Sequence, residues 1–196
     1  MSEKSPDTKY EINLKGVRIS YPHLFEPWAK KAGEKKKYSA SFLLHKVEHK
    51  DLIRQVAQTM KACAAEEAKD KRLPPPDKLC LRDGDLSGRP ENEGHWTLNA
   101  SESTRPVVAN RDKSPLAAED DVIYPGAVVN GKIRLWYQDN QYGKRVNANL
   151  LGVQFVKDGE RLGNRAGRQS AEEMFDSVEG FEDEPESVAA GDDPFG

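Results

Sequence analysis

Apolar and polar residues alternate with a period of two over most of the chain, and the phase of that alternation changes at two glycines. In YEINLKGVRISYPHLFEP, Ile12 and Leu14 share one parity, and after Gly16 the apolar positions move to Val17, Ile19 and Tyr21. A strand whose two faces exchange at a glycine predicts a bulge, and a bulge lets one long strand serve two parts of a curved sheet. Tyr38, Ala40, Phe42 and Leu44 alternate with Lys37, Ser39 and Ser41, which predicts a second strand. Leu52, Val56, Met60 and Cys63 recur at helical spacing with Ile53, Ala57 and Ala64 beside them, which predicts an amphipathic helix stopped by LPPPD.

The pattern from Leu79 to Arg111 is broken, with short strands expected around LCLRD, HWTLNAS and PVVANR and turn chemistry in DGDLSGRPENEG. A long hairpin follows. Val129, Ile133, Leu135 and Tyr137 share one parity, DNQYG supplies the turn, and Val146, Ala148 and Leu150 return. Beside Gly152 the phase changes again, to Leu151, Val153 and Phe155, which predicts a second bulge. Together these elements predict a mainly β fold, an OB-fold-like, partly open five-stranded barrel with one inserted helix. An α+β sandwich satisfies the same alternation.

Charge divides the chain. Residues 169–196 hold ten Asp or Glu and no Lys or Arg, so residues 1–168 hold 30 Lys+Arg against 23 Asp+Glu, a balance of +7. The expected organisation is a flexible N-terminus over 1–9, a folded body over 10–165 and a disordered acidic tail over 166–196, too poor in apolar residues to offset the entropy of ordering. A basic body with an acidic tail suggests a polyanionic partner. No apolar run approaches the roughly 20 residues of a membrane helix, and MSEKSPDTKYE lacks the apolar stretch of a secretory signal. Cys63 and Cys80 form no CxxC pair and are read as free thiols.

Lys132, Arg134 and Trp136 fall on the polar parity of their strand and point one way, about 7 Å apart. Cations with an interleaved ring suit a single nucleic-acid strand, because Lys and Arg neutralise phosphates while the ring stacks on any base. A solvated sheet face would carry the same residues. Lys35, Lys36 and Lys37 lie in a basic loop between Trp28 and Tyr38, and Tyr142, Lys144 and Arg145 cap the hairpin. Arg82, Arg105 and Trp96 complete the candidate contacts. Asp83 and Asp85 would be the metal-binding carboxylates of a nuclease, although Asp-Gly-Asp is also ordinary turn chemistry. The four histidines show no metal spacing, and neither a catalytic set nor a cofactor site is expected.

VRISYPHLFEP followed by KYSASFLLHK, then LRDGD, then GKRVNANLLGVQFVKDGERLG together resemble the phage single-stranded DNA-binding proteins, a family formerly catalogued as a domain of unknown function. The resemblance spans Val17 to Gly163. It implies an OB barrel, non-catalytic binding of single-stranded DNA during phage replication or recombination, and a place in the bacterial host cytoplasm. The tail is similar to the acidic ends of bacterial single-stranded DNA-binding proteins (SSBs): Asp192, Asp193, Pro194 and Phe195 match in type, with Gly196 a departure. That similarity implies replication or recombination proteins as partners of the tail. A recombination strand-annealing protein would share the same groove, and a homo-oligomer is compatible with either reading.

Overall fold

The computed structural model describes residues 8–163. The predicted acidic tail, with Asp192, Asp193, Pro194 and Phe195, and most of the predicted flexible N-terminus lie outside the described residues. Seven strands and one helix run in the order β1 (Glu11–Trp28), β2 (Lys37–His45), α1 (Lys50–Glu67), β3 (Leu81–Asp83), β4 (His95–Glu102), β5 (Val107–Ala109), β6 (Val128–Asn140) and β7 (Gly143–Lys157). They form one sheet of spatial order β3-β4-β2-β1-β6-β7-β5. Five of the strands are long and match the expected barrel. β3 and β5, three residues each, fall within the short strands expected around LCLRD and PVVANR.

β1 is the strand on which the two halves of the sheet meet. Its first part pairs with β6, Ile12 opposite Ile133, and its later part with β2, Ile19 opposite Phe42. Between Leu14 and Val17 the register against β6 shifts, and Gly16 sits there at φ 64°, a left-handed conformation that costs glycine little. Its amide donates to Asn130 Oδ1 at 3.0 Å. Ile12, Leu14, Val17 and Ile19 are therefore all buried despite their change of parity. The second predicted bulge is also present, as a register shift between Lys132 and Ile133 that leaves Leu151 unpaired beside Gly152.

The ends of the sheet approach each other to make a partly open barrel. The Cys80 amide donates to Val146 O of β7 at 2.9 Å, and its carbonyl accepts the Asn99 amide of β4 at 2.9 Å. Further along, β5 pairs in parallel with β7, Val108 opposite Val153. The interior holds Leu14, Phe42, Leu44, Leu98, Ile133, Leu135 and Leu150, all essentially solvent-free. α1 presents Val56, Met60, Cys63 and Ala64 to this core. It ends at Glu67, several residues before the prolines. The chain turns at Ala68, and Asp70 then accepts both the Arg72 amide and the Lys144 ammonium. Among the described residues no helix is long and apolar enough to cross a membrane.

Tyr21 departs from the expected pattern. It continues the inward parity of Val17 and Ile19 in the sequence, yet it is half-exposed with φ 47°. β1 slips against β2 between Ser20 and His23, so the side chain turns outward. At the C-terminal end of the body, the Tyr124 hydroxyl donates to Asp158 Oδ1 at 2.9 Å, the Leu162 amide to Pro125 O at 2.9 Å, and Arg18 to Glu160 O at 2.6 Å.

Gly131 is required for a different reason from Gly16. A Cβ built there would lie 2.8 Å from two atoms of the buried Phe42 ring. Gly131→Ala should lower unfolding free energy by about 1–3 kcal/mol, the usual cost of overpacking a core. Urea denaturation of the variant against the native chain measures it, and an unchanged midpoint would show that the Phe42 ring moves aside freely.

Candidate nucleic-acid interface

Strand pairing decides which predicted residues share a surface. Opposite residues of an antiparallel pair point to the same side. Lys132, Arg134 and Trp136 do lie on the outer side of β6, between buried Gly131, Ile133 and Leu135. Trp136 is opposite Asn147, and Gln138 is opposite Arg145, so Arg145 stands diagonally beside the indole on one outward row. Tyr142 is exposed at the turn. Lys144 has the other parity, and its ammonium is bound to Asp70 Oδ2 at 2.7 Å.

The two cations of β6 are not free. Glu11, opposite Arg134 in the register, accepts from Arg134 at 2.9 Å and pairs with Lys132 at 2.9 Å. The Arg134 and Lys132 hydrogen bonds hold its carboxyl below the usual carboxylate range. Lys132 also borders a shallow groove with Asn13, Lys15, Val107 and Gln154.

A second group forms on the β1–β2 hairpin. Trp28 is half-exposed and opposite Lys37, with Lys35 and Lys36 just before it in the connecting loop. Arg105, which follows β4, lies over the Phe25 ring of this hairpin at 5.2 Å. In contrast to Lys132, Arg134 and Lys144, the lysines Lys30, Lys31, Lys35, Lys36 and Lys37 make no ion pair among the described residues.

Arg82 and Trp96 join neither group. Arg82 is exposed on β3 with its Nε donating to Leu79 O at 3.0 Å. Trp96 shares the inward parity of Leu98 and Ala100, and it is half-buried against the core beneath the Lys46 ammonium. The broken pattern around residues 79–111 gave no parity by which to place it.

The barrel also exposes a row that charge and aromatic content did not reveal. Going round it, β1, β2, β4, β7 and β6 take the places of the five strands of an OB barrel. In that fold the face of the second and third strands and the loops joining strands one–two and four–five hold oligonucleotides. Here that face carries Ser39, Ser41, Asn99 and Ser101, while Thr97 on the same side is buried with its hydroxyl donating to Arg82 O at 3.3 Å, and Ala40, Phe42, Leu98 and Ala100 turn inward. The two loops are residues 29–36 and the Gln141–Tyr142 turn. The alternation Lys37-Ser39-Ser41 was the signal in the sequence, but serine alone does not announce a ligand.

Asp83 and Asp85 are held by a different partner from a metal. The Lys46 ammonium donates to Asp83 Oδ1 at 2.6 Å and Asp85 Oδ2 at 2.5 Å. Asp83 also accepts the Asp85 amide, and Asp85 the Gly94 amide at 2.7 Å. These carboxylates stabilise a turn. Among the described residues no group of three His, Cys, Asp or Glu side chains is arranged to hold a metal ion.

The sequence profile of the Enterobacter phage Enc34 ssDNA-binding protein family matches residues 10–187. The chain belongs to that family. A relative in the Acyrthosiphon pisum secondary endosymbiont phage 1, putative protein p50, is 35% identical over 182 residues, covering 89% of this chain and 97% of its own. The Enc34 phage protein solved in complex with ssDNA is 34% identical, with a TM-score of 0.74 over 83% of this chain and 97% of the other. The ssDNA-binding protein gp2.5 of bacteriophage T7 has a TM-score of 0.57 at 13% identity, covering 83% of this chain and 98% of its own, a likeness of fold. The mainly β, OB-type reading agrees with these neighbours. What the Enc34 family relatives do is non-enzymatic, in line with the structural role of Asp83 and Asp85.

Glu11 gives a pH signature. A carboxylate whose folded pKa is lowered contributes stability that is fully present above its unfolded value, near 4.3. That contribution disappears as pH falls through the folded value. Glu11→Gln should therefore be less stable than the native chain at pH 7, and the difference should close between about pH 4.3 and more acidic pH. Thermal melts across that range measure it. A difference independent of pH would show that the Glu11 pairs carry no net stabilisation.

Proposed function

We propose that this protein binds and protects single-stranded DNA, with little dependence on sequence, during phage DNA replication or recombination in the host cytoplasm. The observation that carries the reading is membership of the Enc34 ssDNA-binding family, together with 34% identity, over 83% of this chain, to a relative solved with ssDNA bound. The physical arrangement supports it. An OB-type barrel offers a polar strand face, a lysine-rich hairpin with an exposed indole at one end, and an outward row of Lys132, Arg134, Trp136 and Arg145 on neighbouring strands. Phosphates would be met by cations and bases by rings, a combination that reads no particular sequence.

The acidic segment from 169 to 196 supplies ten carboxylates without a cation. We assign it two roles, competition with DNA for the basic body and recruitment of replication or recombination proteins through Asp192, Asp193, Pro194 and Phe195.

Titration of a labelled single strand at increasing salt tests the first part. Log affinity should fall linearly with log salt, by about 0.7 per phosphate neutralised, and Lys36→Ala should reduce that slope by about one contact. A flat salt dependence would rule out phosphate-driven binding. Deleting residues 169–196 should tighten binding, most at low salt where charges are least screened. Equal or weaker binding by the shortened chain would remove the competition. Phe195→Ala should lose partner capture while leaving DNA affinity unchanged.

A further inference from the structure

The β1–β2 hairpin carries an arrangement that its charge does not call for. His23 and Trp28 lie five residues apart on one strand, and in a regular strand such residues point to opposite faces. Two slips of β1 against β2, between Ser20 and His23 and between His23 and Trp28, bring them to the same side. Their rings stack with centroids 4.9 Å apart and planes inclined by only 6°. Trp28 nevertheless keeps 50% of its surface exposed, so the stack covers part of the indole and leaves the remainder open to solvent.

The other rings of the hairpin are engaged differently. Tyr21 has the Arg89 guanidinium over its ring at 5.1 Å and its hydroxyl on Glu91 at 3.2 Å, and Phe25 is covered by Arg105. Trp28 has the aromatic support of His23 and, among the described residues, no cation over its ring; it stands opposite Lys37 next to loop lysines that make no ion pair among those residues. Burial holds the His23 imidazole below its ordinary pKa, so at neutral pH it stacks as an uncharged ring amid these cations.

We propose that His23 is a positioning residue that fixes the Trp28 indole as a stacking platform for one unpaired nucleobase, with Lys35, Lys36 and Lys37 meeting the phosphates beside it. The inference rests on the single-stranded DNA reading above and adds the subsite. A tryptophan side chain on an exposed hairpin has several rotamers open to it, and the support ring selects one before the ligand arrives, which lowers the cost of ordering it on binding. Because a base in a duplex already has both faces stacked, only an unpaired base can use the platform.

The test compares the full-length protein with Trp28→Ala, His23→Ala and His23→Phe on three probes: an oligothymidylate, an abasic oligonucleotide of equal length, and a duplex. The native protein should prefer the oligothymidylate to the abasic strand. Trp28→Ala should cut that preference about tenfold, as loss of one stacked base does. His23→Ala should cut it by roughly threefold, a fraction of the stacking contribution, with affinity for the abasic strand unchanged. His23→Phe should restore the preference, because the support needs a ring and not an imidazole. Duplex affinity should be the same in all four proteins.

Three outcomes overturn the proposal. His23→Ala could leave the preference intact, it could weaken the thymidylate and abasic strands equally, or His23→Phe could behave like His23→Ala. The second would mean that His23 merely holds the hairpin together. A native protein that binds neither single strand would refute the underlying DNA-binding reading, a result distinct from the other three.

Discussion

One strand must belong to both halves of the sheet, and everything else in the barrel follows from how β1 achieves this. Its first residues are in register with β6 and its later ones with β2. A strand of fixed parity would bury its apolar side chains against one half and expose them against the other, because a slip of one residue exchanges the two faces. The left-handed backbone at Gly16 inserts that slip where it is needed. Inside, it keeps Ile12, Leu14, Val17 and Ile19 in one core. Outside, it places Glu11 next to Arg134 and Lys132. The division between packing residues and surface residues on three neighbouring strands thus depends on one bend.

The features legible in the sequence were those written as a local period. The helix stripe, the β6–β7 hairpin and both phase changes at Gly16 and Gly152 could be read because each involves residues close in the chain. What escaped was set by pairing over long distances. Glu11 neutralises Lys132 and Arg134 from more than a hundred residues away, and no local pattern hints that the most promising cations are already occupied. Trp96 looks like a surface aromatic until its register with β2 turns it inward. Tyr21 follows the apolar parity faithfully, but a second irregularity in β1 turns it out. His23 attracted no notice as a lone histidine, because its partner is brought alongside only by those same irregularities.

Formal charge is also a poor guide to available charge. Glu11, Asp70, Asp83 and Asp85 each hold a lysine or arginine of the body, so several of its cations serve to tie elements together. Among the described residues the lysines of residues 30–37 have no such duties, and they are grouped in the loop beside the exposed indole. For a ligand whose charge is regularly spaced, a concentrated set of unpaired cations matters more than the sum over the chain.

The closure of the barrel at Cys80 has a practical consequence. Its thiol is 6% exposed, and burial pushes its pKa up to about 12. Cys63, on the core-facing side of α1, is solvent-free with a pKa of about 11, again raised mainly by burial. Since the thiolate is the reacting form, both sulfurs are shielded from alkylating reagents twice over, by burial and by protonation. Cys80 would become reactive when the seam between β4 and β7 separates, and Cys63 when the helix lifts from the core. The chain therefore contains two built-in chemical clocks, one timing the opening of the seam and the other the detachment of the helix.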